Sequence, residues 1–195
     1  MSESQKQIME ATFRALHRHG YADLTMDAIA SEFDKSKSLL HYHYNTKEEL
    51  VEAFLEYMHQ ELVDKTDEIQ TQQPETKINE IATLLMSEPD KISQEEMTFY
   101  NAVLELKTQA RHKPRFRKTL NNTREYVLEL LSETLQDGID RNEFQETETR
   151  QAAEMILSAI EGKLINDTTL KHRNQVETEK HVTEIEKYII KPIKK

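Results

Sequence analysis

Apolar residues recur along this chain at intervals of three and four, the period of amphipathic helices, and polar or helix-breaking residues interrupt them at intervals. Ile8, Ala11, Thr12, Ala15 and Leu16 share one face of a first helix over 4–19, which Gly20 stops. Thr25 caps a short second helix, Met26–Phe33, with Ala28, Ile29 and Phe33 on one face. Asp34 and Lys35 break the pattern. Ser36 caps a third helix that carries Lys37 to His43, and Asn45 ends it. Thr46, with Glu49 three residues later, makes a capping box for a fourth helix. That helix runs from Lys47 to about Gln70 along Leu50, Val51, Phe54, Leu55, Met58 and Leu62. Stripes through Ile78, Ile81, Leu84 and Leu85, and through Met97, Phe99, Tyr100, Val103 and Leu106, mark a fifth and a sixth. Pro114 opens a seventh, and Gly138 follows its end. An eighth covers about 146–168 and a ninth about 175–191. The expected fold is all-α with about nine helices. The face of the first helix must pack on Ile29 and Leu40, because two short helices cannot bury a core alone.

Composition narrows the class. A chain of 195 residues can bury one or two real cores, and three glycines and four prolines agree with a nearly all-helical fold. The absence of cysteine removes disulfides, thiolate metal sites and thiol nucleophiles. The N-terminus has no apolar signal region and no run reaches membrane-spanning length, so a cytoplasmic protein without a membrane partner is expected. The net charge of −10 looks wrong for a nucleic-acid binder, but its distribution changes the picture. Residues 1–47 carry six Lys/Arg and six Asp/Glu, so the whole deficit lies further along. Phosphate binding depends on local charge; DNA is not excluded, and weak non-specific binding is expected.

Residues 25–46 read as helix, tight polar turn, helix, with Lys, Ser, His and Tyr crowded on the second member, the pattern of a helix-turn-helix DNA reader. Here the chain resembles the tetracycline-repressor (TetR/AcrR) family of transcriptional regulators. The resemblance rests on Gly20-Tyr21, Leu24-Thr25, Ala28-Ile29-Ala30, Ser36 to Leu40, and Tyr44-Asn45-Thr46-Lys47 running into Glu48-Glu49-Leu50, about the first third of the chain. The chain departs from the family at Phe33-Asp34, where Ala-Gly is usual, at His41, where Tyr is common, and at Tyr44, where Phe is common. The resemblance implies a DNA-binding domain over 2–62, with the fourth helix shared, and a ligand-binding and dimerisation domain over 63–195. It implies a repressor that a small-molecule inducer releases from a palindromic double-stranded operator. The competing reading is a helical protein-interaction module without DNA binding. Joint exposure of Lys37, Tyr42 and Lys47 on one face would separate the two.

The expected DNA contacts are Thr25, Ser36, Lys37, Ser38, Leu39, His41, Tyr42, His43 and Lys47. Serine can bond base edges or phosphates, an exposed leucine can touch a thymine methyl, and Tyr42 and His43 can donate to phosphates. Lys47 and the free N–H groups of the fourth helix can hold one phosphate together. By family resemblance, an inducer pocket lies among helices four to seven, with Phe54, Tyr57, Met58, Phe99, Tyr100, Val103, Tyr126 and Leu130 as candidate lining. The expected homodimer seam takes Ala152, Met155, Ile156, Ala159, Ile160 and Gly162 from the eighth helix and Val182, Ile185 and Ile189 from the ninth. His41/His43 and His17/His19 do not read as metal pairs, since a spacing of two puts them on different helix faces. The basic run Arg111–Lys118 reads as a solvated connection. No phosphate-binding glycine loop, nucleophile elbow or cofactor motif is visible, so no enzyme is expected.

Overall fold

A computed structural model describes residues 1–33, 37–86, 99–169 and 178–195; the side chains of Phe99, Tyr100 and Thr168 lie outside that description. The described residues form nine α-helices and no strand. They are α1 (Glu3–Asp23), α2 (Met26–Ser31), α3 (Lys37–His43), α4 (Lys47–Asp67), α5 (Pro74–Met86), α6 (Phe99–Gln109), α7 (Pro114–Asp140), α8 (Thr149–Thr169) and α9 (Thr178–Ile185). The turn expected at Asp34, Lys35 and Ser36, and Met97 of the sixth stripe, fall outside the described residues.

The caps explain the starts. Ser2 and Gln5 form a capping box ahead of α1. The Thr25 hydroxyl accepts from Ala28 N–H at 3.0 Å, and Thr46 accepts from Glu49 N–H at 3.1 Å. The Glu49 carboxylate reaches Asn45 N–H at 3.0 Å rather than the amide of Thr46, so this box is displaced by one residue. Gly20 breaks the regular helix of α1, as the sequence suggests, although a short turn carries the element past it. It kinks the helix at φ 68° and ψ 168°, and one more turn follows to Asp23. Gly138 lies inside the last turn of α7 rather than after it.

Contacts divide the chain into two compact units. One comprises Met1–Leu62 with α6 and α7 up to Asn121; the other comprises α5, the rest of α7, α8 and α9. The first unit thus combines the N-terminal helices with α6 and the start of α7, a division by contacts that differs from a simple cut of the chain into 2–62 and 63–195. Its core gathers Ile8, Met9, Leu16, Ile29, Leu40, Leu50, Phe54, Leu106 and Phe116, so α1 does pack on Ile29 and Leu40. Each such side chain, fully buried, contributes about 1.5–3 kcal/mol.

In the second unit α5 packs on α8 and α9, around Ile78, Ile81, Ile156, Leu157, Ile160, Ile185 and Ile190. Ile156, Ile160 and Ile185 are therefore core residues and not part of an outer seam. Ala152, Ala159, Gly162, Val182 and Ile189 are half-buried and Met155 is exposed. After α9 the helix widens to a π turn, Glu186–Ile190, in which Lys191 N–H reaches Glu186 O. Pro192, which has no N–H to donate, follows it in the 3₁₀ turn Lys191–Ile193. No described helix is long and apolar enough to cross a membrane.

Gly138 is where the Phe144 ring seats. A Cβ there would stand 2.2 Å from Phe144 Cδ2, while the Gly138 carbonyl accepts from Glu143 and Phe144 N–H at 2.9 and 3.1 Å. Gly138→Ala should therefore destabilise the second unit by about 1–3 kcal/mol through overpacking. Thermal unfolding should register a drop of about 2–4 °C for each kcal/mol lost. An unchanged melting temperature would mean that the ring moves aside freely.

Candidate nucleic-acid interface

Leu40 is wholly buried, and its burial sets the rotational phase of α3. At about 100° per residue, Ser38 and Tyr42 fall on the side opposite Leu40, while Leu39 and His43 fall back toward the core. The burial pattern agrees. Lys37, Ser38, His41 and Tyr42 are exposed, Tyr42 by 82%, and His43 is half-buried. Leu39 is half-buried against the core cluster, which makes it a packing residue more than a base reader. The Tyr42 ring stands edge-on to His43 at 5.3 Å, and His43 tilts against Tyr44 at 6.3 Å. Thr25 is exposed beside α3's neighbour α2; its oxygen caps α2, and its O–H proton can still be donated to a phosphate. Ser36 lies outside the described residues.

Two cations behave differently from the expectation. Lys37 forms an exposed ion pair with Asp27 on α2 and holds that carboxyl below its ordinary range by hydrogen bonding and charge. Lys47 turns inward. Its Nζ donates to Leu24 O at 2.8 Å and Tyr21 O at 3.1 Å and lies 4.7 Å from the centre of the Tyr21 ring. Lys47 therefore does not share an open face with Lys37 and Tyr42. Its ammonium is stapled to the segment joining α1 to α2, and a phosphate would have to displace two carbonyls to reach it.

The surroundings were not legible in the sequence. Arg14 and Arg18 on α1 hold the end of α2, Arg14 at Glu32 O (2.8 Å) and Arg18 at the Glu32 carboxylate (2.5 Å). Glu48 accepts from Lys113 at 3.0 Å, which holds its carboxyl below the ordinary range, and lies 3.5 Å from the Tyr21 hydroxyl. Burial, aided by the Glu48 charge, pushes the Tyr21 phenol up. Of the basic run, Arg111, His112, Arg115, Arg117 and Lys118 are exposed, as for a solvated connection, and Arg115 pairs with Glu52 at 3.0 Å.

The candidate ligand residues divide between the units. Phe54, Tyr57, Met58 and Val103 belong to the first and Tyr126 and Leu130 to the second. Phe54 is core, 6.3 Å from the Phe13 ring, and Tyr57 and Met58 pack against the same cluster. Tyr126 is hydrogen-bonded to the Thr66 hydroxyl. Val103 and Leu130 are half-buried, and the side chains of Phe99 and Tyr100 are outside the description. One hollow of the first unit, about 510 Å³, is open and lined by Glu48, Glu49, Glu52, Lys113, Arg115 and Phe116. None of the candidate inducer residues lines it.

A short helix pinned by one buried leucine, capped neighbours and an outward face of Lys, Ser, His and Tyr define a helix-turn-helix DNA-binding protein. Comparison with known proteins gives the family. The sequence profile of bacterial regulatory proteins of the tetR family matches residues 8–54, and that of the C-terminal part of BetI-type transcriptional repressors matches residues 74–182. The chain belongs to the TetR family of transcriptional regulators. The crystal structure of a TetR transcription regulator from Haloarcula marismortui ATCC 43049 is similar over 100% of both chains, with TM-score 0.87 and 32% identity. That of a transcriptional regulator from Saccharomonospora viridis in complex with choline shares the fold over 96% of this chain and 97% of that one, with TM-score 0.81 and 20% identity. The HTH-type transcriptional regulator TtgR of Pseudomonas putida is 36% identical over 58 residues, which span 30% of this chain and 28% of that protein. The chain thus matches under a third of that curated relative's length.

Lys47→Met removes two charge-assisted donors and leaves the Tyr21 and Leu24 carbonyls without them. Urea unfolding should show a loss of about 1–3 kcal/mol. Lys47→Arg should recover part of it, and wild-type stability in Lys47→Met would dismiss the staple.

Proposed function

We propose that this chain is a transcriptional repressor that binds a two-fold-related operator as a homodimer and leaves it when a small molecule binds. The presentation of Ser38, His41, Tyr42 and Lys37 around the buried Leu40 carries the reading. Ser38 and His41 meet base edges in the major groove, while Lys37, Tyr42, His43 and the Thr25 hydroxyl hold phosphates. Lys37 exchanges Asp27 for phosphate at little cost, because exposed ion pairs are worth only about 0–1 kcal/mol. Selection from random duplexes tests the reading directly. Lys37→Ala should weaken specific and non-specific binding alike and lower the slope of log K against log salt by about one, whereas Ser38→Ala should change base preference. Unchanged affinity and slope in Lys37→Ala would break this docking.

Pairing is expected along α8. Met155 (66% exposed), Ser158, Gly162 and Ile165 (43%) make an outward stripe at helical spacing, and Tyr188 (67%) adds a third exposed apolar group in the same unit. Apart from its own helix, no described atom lies within 4 Å of a Cβ built at Gly162, so the subunit itself has room for a side chain there. A partner helix uses that room. Gly162→Glu should accordingly leave the fold intact and give monomers in sedimentation, with operator affinity lost. A stable dimer in this variant would move the seam elsewhere.

The released state follows from differential affinity: the ligand must prefer the arrangement in which the two reading helices no longer match the operator. The relative solved with choline makes that quaternary ammonium the first probe in a thermal-shift screen.

A further inference from the structure

The segment joining α1 to α2 is gripped at both kinds of backbone group by side chains distant in sequence. Gly20 turns the chain through a left-handed φ of 68°. The two amides that follow meet the carboxylate of Glu105, on α6: Oε1 accepts from Tyr21 N–H at 2.7 Å and from Ala22 N–H at 3.4 Å. Successive N–H groups of this kind make an anion-binding nest, and here the anion is the chain's own. A Cβ at Gly20 would stand 3.1 Å from Glu105 Oε2, so the bare glycine is what admits the carboxylate. On the carbonyl side Lys47 of α4 takes Tyr21 O and Leu24 O.

We propose that Glu105 is a positioning residue for DNA recognition: by clamping the Tyr21 and Ala22 amides to α6, it fixes the orientation in which α2 and α3 meet the duplex. Apolar packing of α1 on α6 is non-directional and tolerates small rotations. A carboxylate on two amides does not, since a hydrogen bond weakens steeply off axis. The clamp acts close to the reading surface, because only Asp23 and Leu24 separate the gripped amides from Thr25, the cap of α2. Through α6 the head is tied to α7, which continues into the unit that carries the α8 stripe. The spacing between paired heads then depends on Glu105. This inference rests on the paired-head reading above.

The test is the dependence of affinity on half-site spacing in the selected operator. One inserted base pair turns a half-site by about 35°. The wild type should lose about tenfold or more in affinity on that insertion, comparable with one mismatch. E105A should lose less than about threefold, because its heads adjust, and should bind the optimal spacing more weakly. E105Q, which keeps a carbonyl oxygen for the Tyr21 amide, should restore a sharp profile. A sharp profile in E105A at wild-type melting temperature overturns the positioning role. Should E105A unfold at the assay temperature, E105D carries the test, its carboxylate drawn back by one methylene; a wild-type profile there overturns the role equally. A flat profile in the wild type refutes the paired heads, and the role of Glu105 falls with them.

Discussion

Everything the reading surface does depends on Leu40. α3 has seven residues, and an isolated helix needs about 12–15 to be even marginal in water. It exists because one side chain is locked into a core cluster, shared with Ile8, Leu16, Ile29 and Leu50, that longer helices mainly build. That lock supplies stability and rotational phase together. A polar residue at this position would release the helix, and a shift of one residue in the anchor would rotate Ser38 and Tyr42 away from the outside. The second constraint is the segment before α2. Leu24 is buried and Thr25 caps, so the direction of α2 follows from how residues 20–24 are held, by Lys47 on the carbonyls and Glu105 on the amides.

What the sequence made legible was local or periodic. Thr25, Thr46 and Pro114 each mark a helix start because capping chemistry acts within one turn. Ile29 and Leu40 are core because the period says so. The misses have a common physical origin. Lys47 stands at the first residue of a helix, where the dipole disfavours a cation, so an oxygen-rich partner was to be expected; that the partner is the Tyr21 and Leu24 carbonyls and not a phosphate is set by tertiary packing. Glu105 lies 84 residues from the amide it caps, and no spacing rule reaches that far.

The eighth helix shows the same limit in another form. It is apolar on two sides, and from the sequence both read as one seam. Ala153, Ile156, Leu157, Ile160 and Leu164 face the subunit's own core, whereas Met155 and Ile165 look outward. Periodicity detects that two stripes exist but does not say which neighbour each one meets. The glycines separate in the same way: Gly138 lies under an aromatic ring and Gly162 under open space, although both sit inside helices.

The charges give the last step. Among the described residues of the first unit, many cations already sit on oxygens of the same chain: Arg18 on Glu32, Lys37 on Asp27, Lys113 on Glu48, Arg115 on Glu52 and Lys47 on two carbonyls. A phosphate that recruits Lys37 releases Asp27, an exchange of little net cost between exposed charges. Phosphate contacts are made in specific and non-specific complexes alike, so internal pairing of cations weakens both and leaves their ratio to the base-edge bonds. An acidic protein with a neutral reading head holds weakly to DNA off its site, and on the proposed docking its selectivity rests on Ser38 and His41.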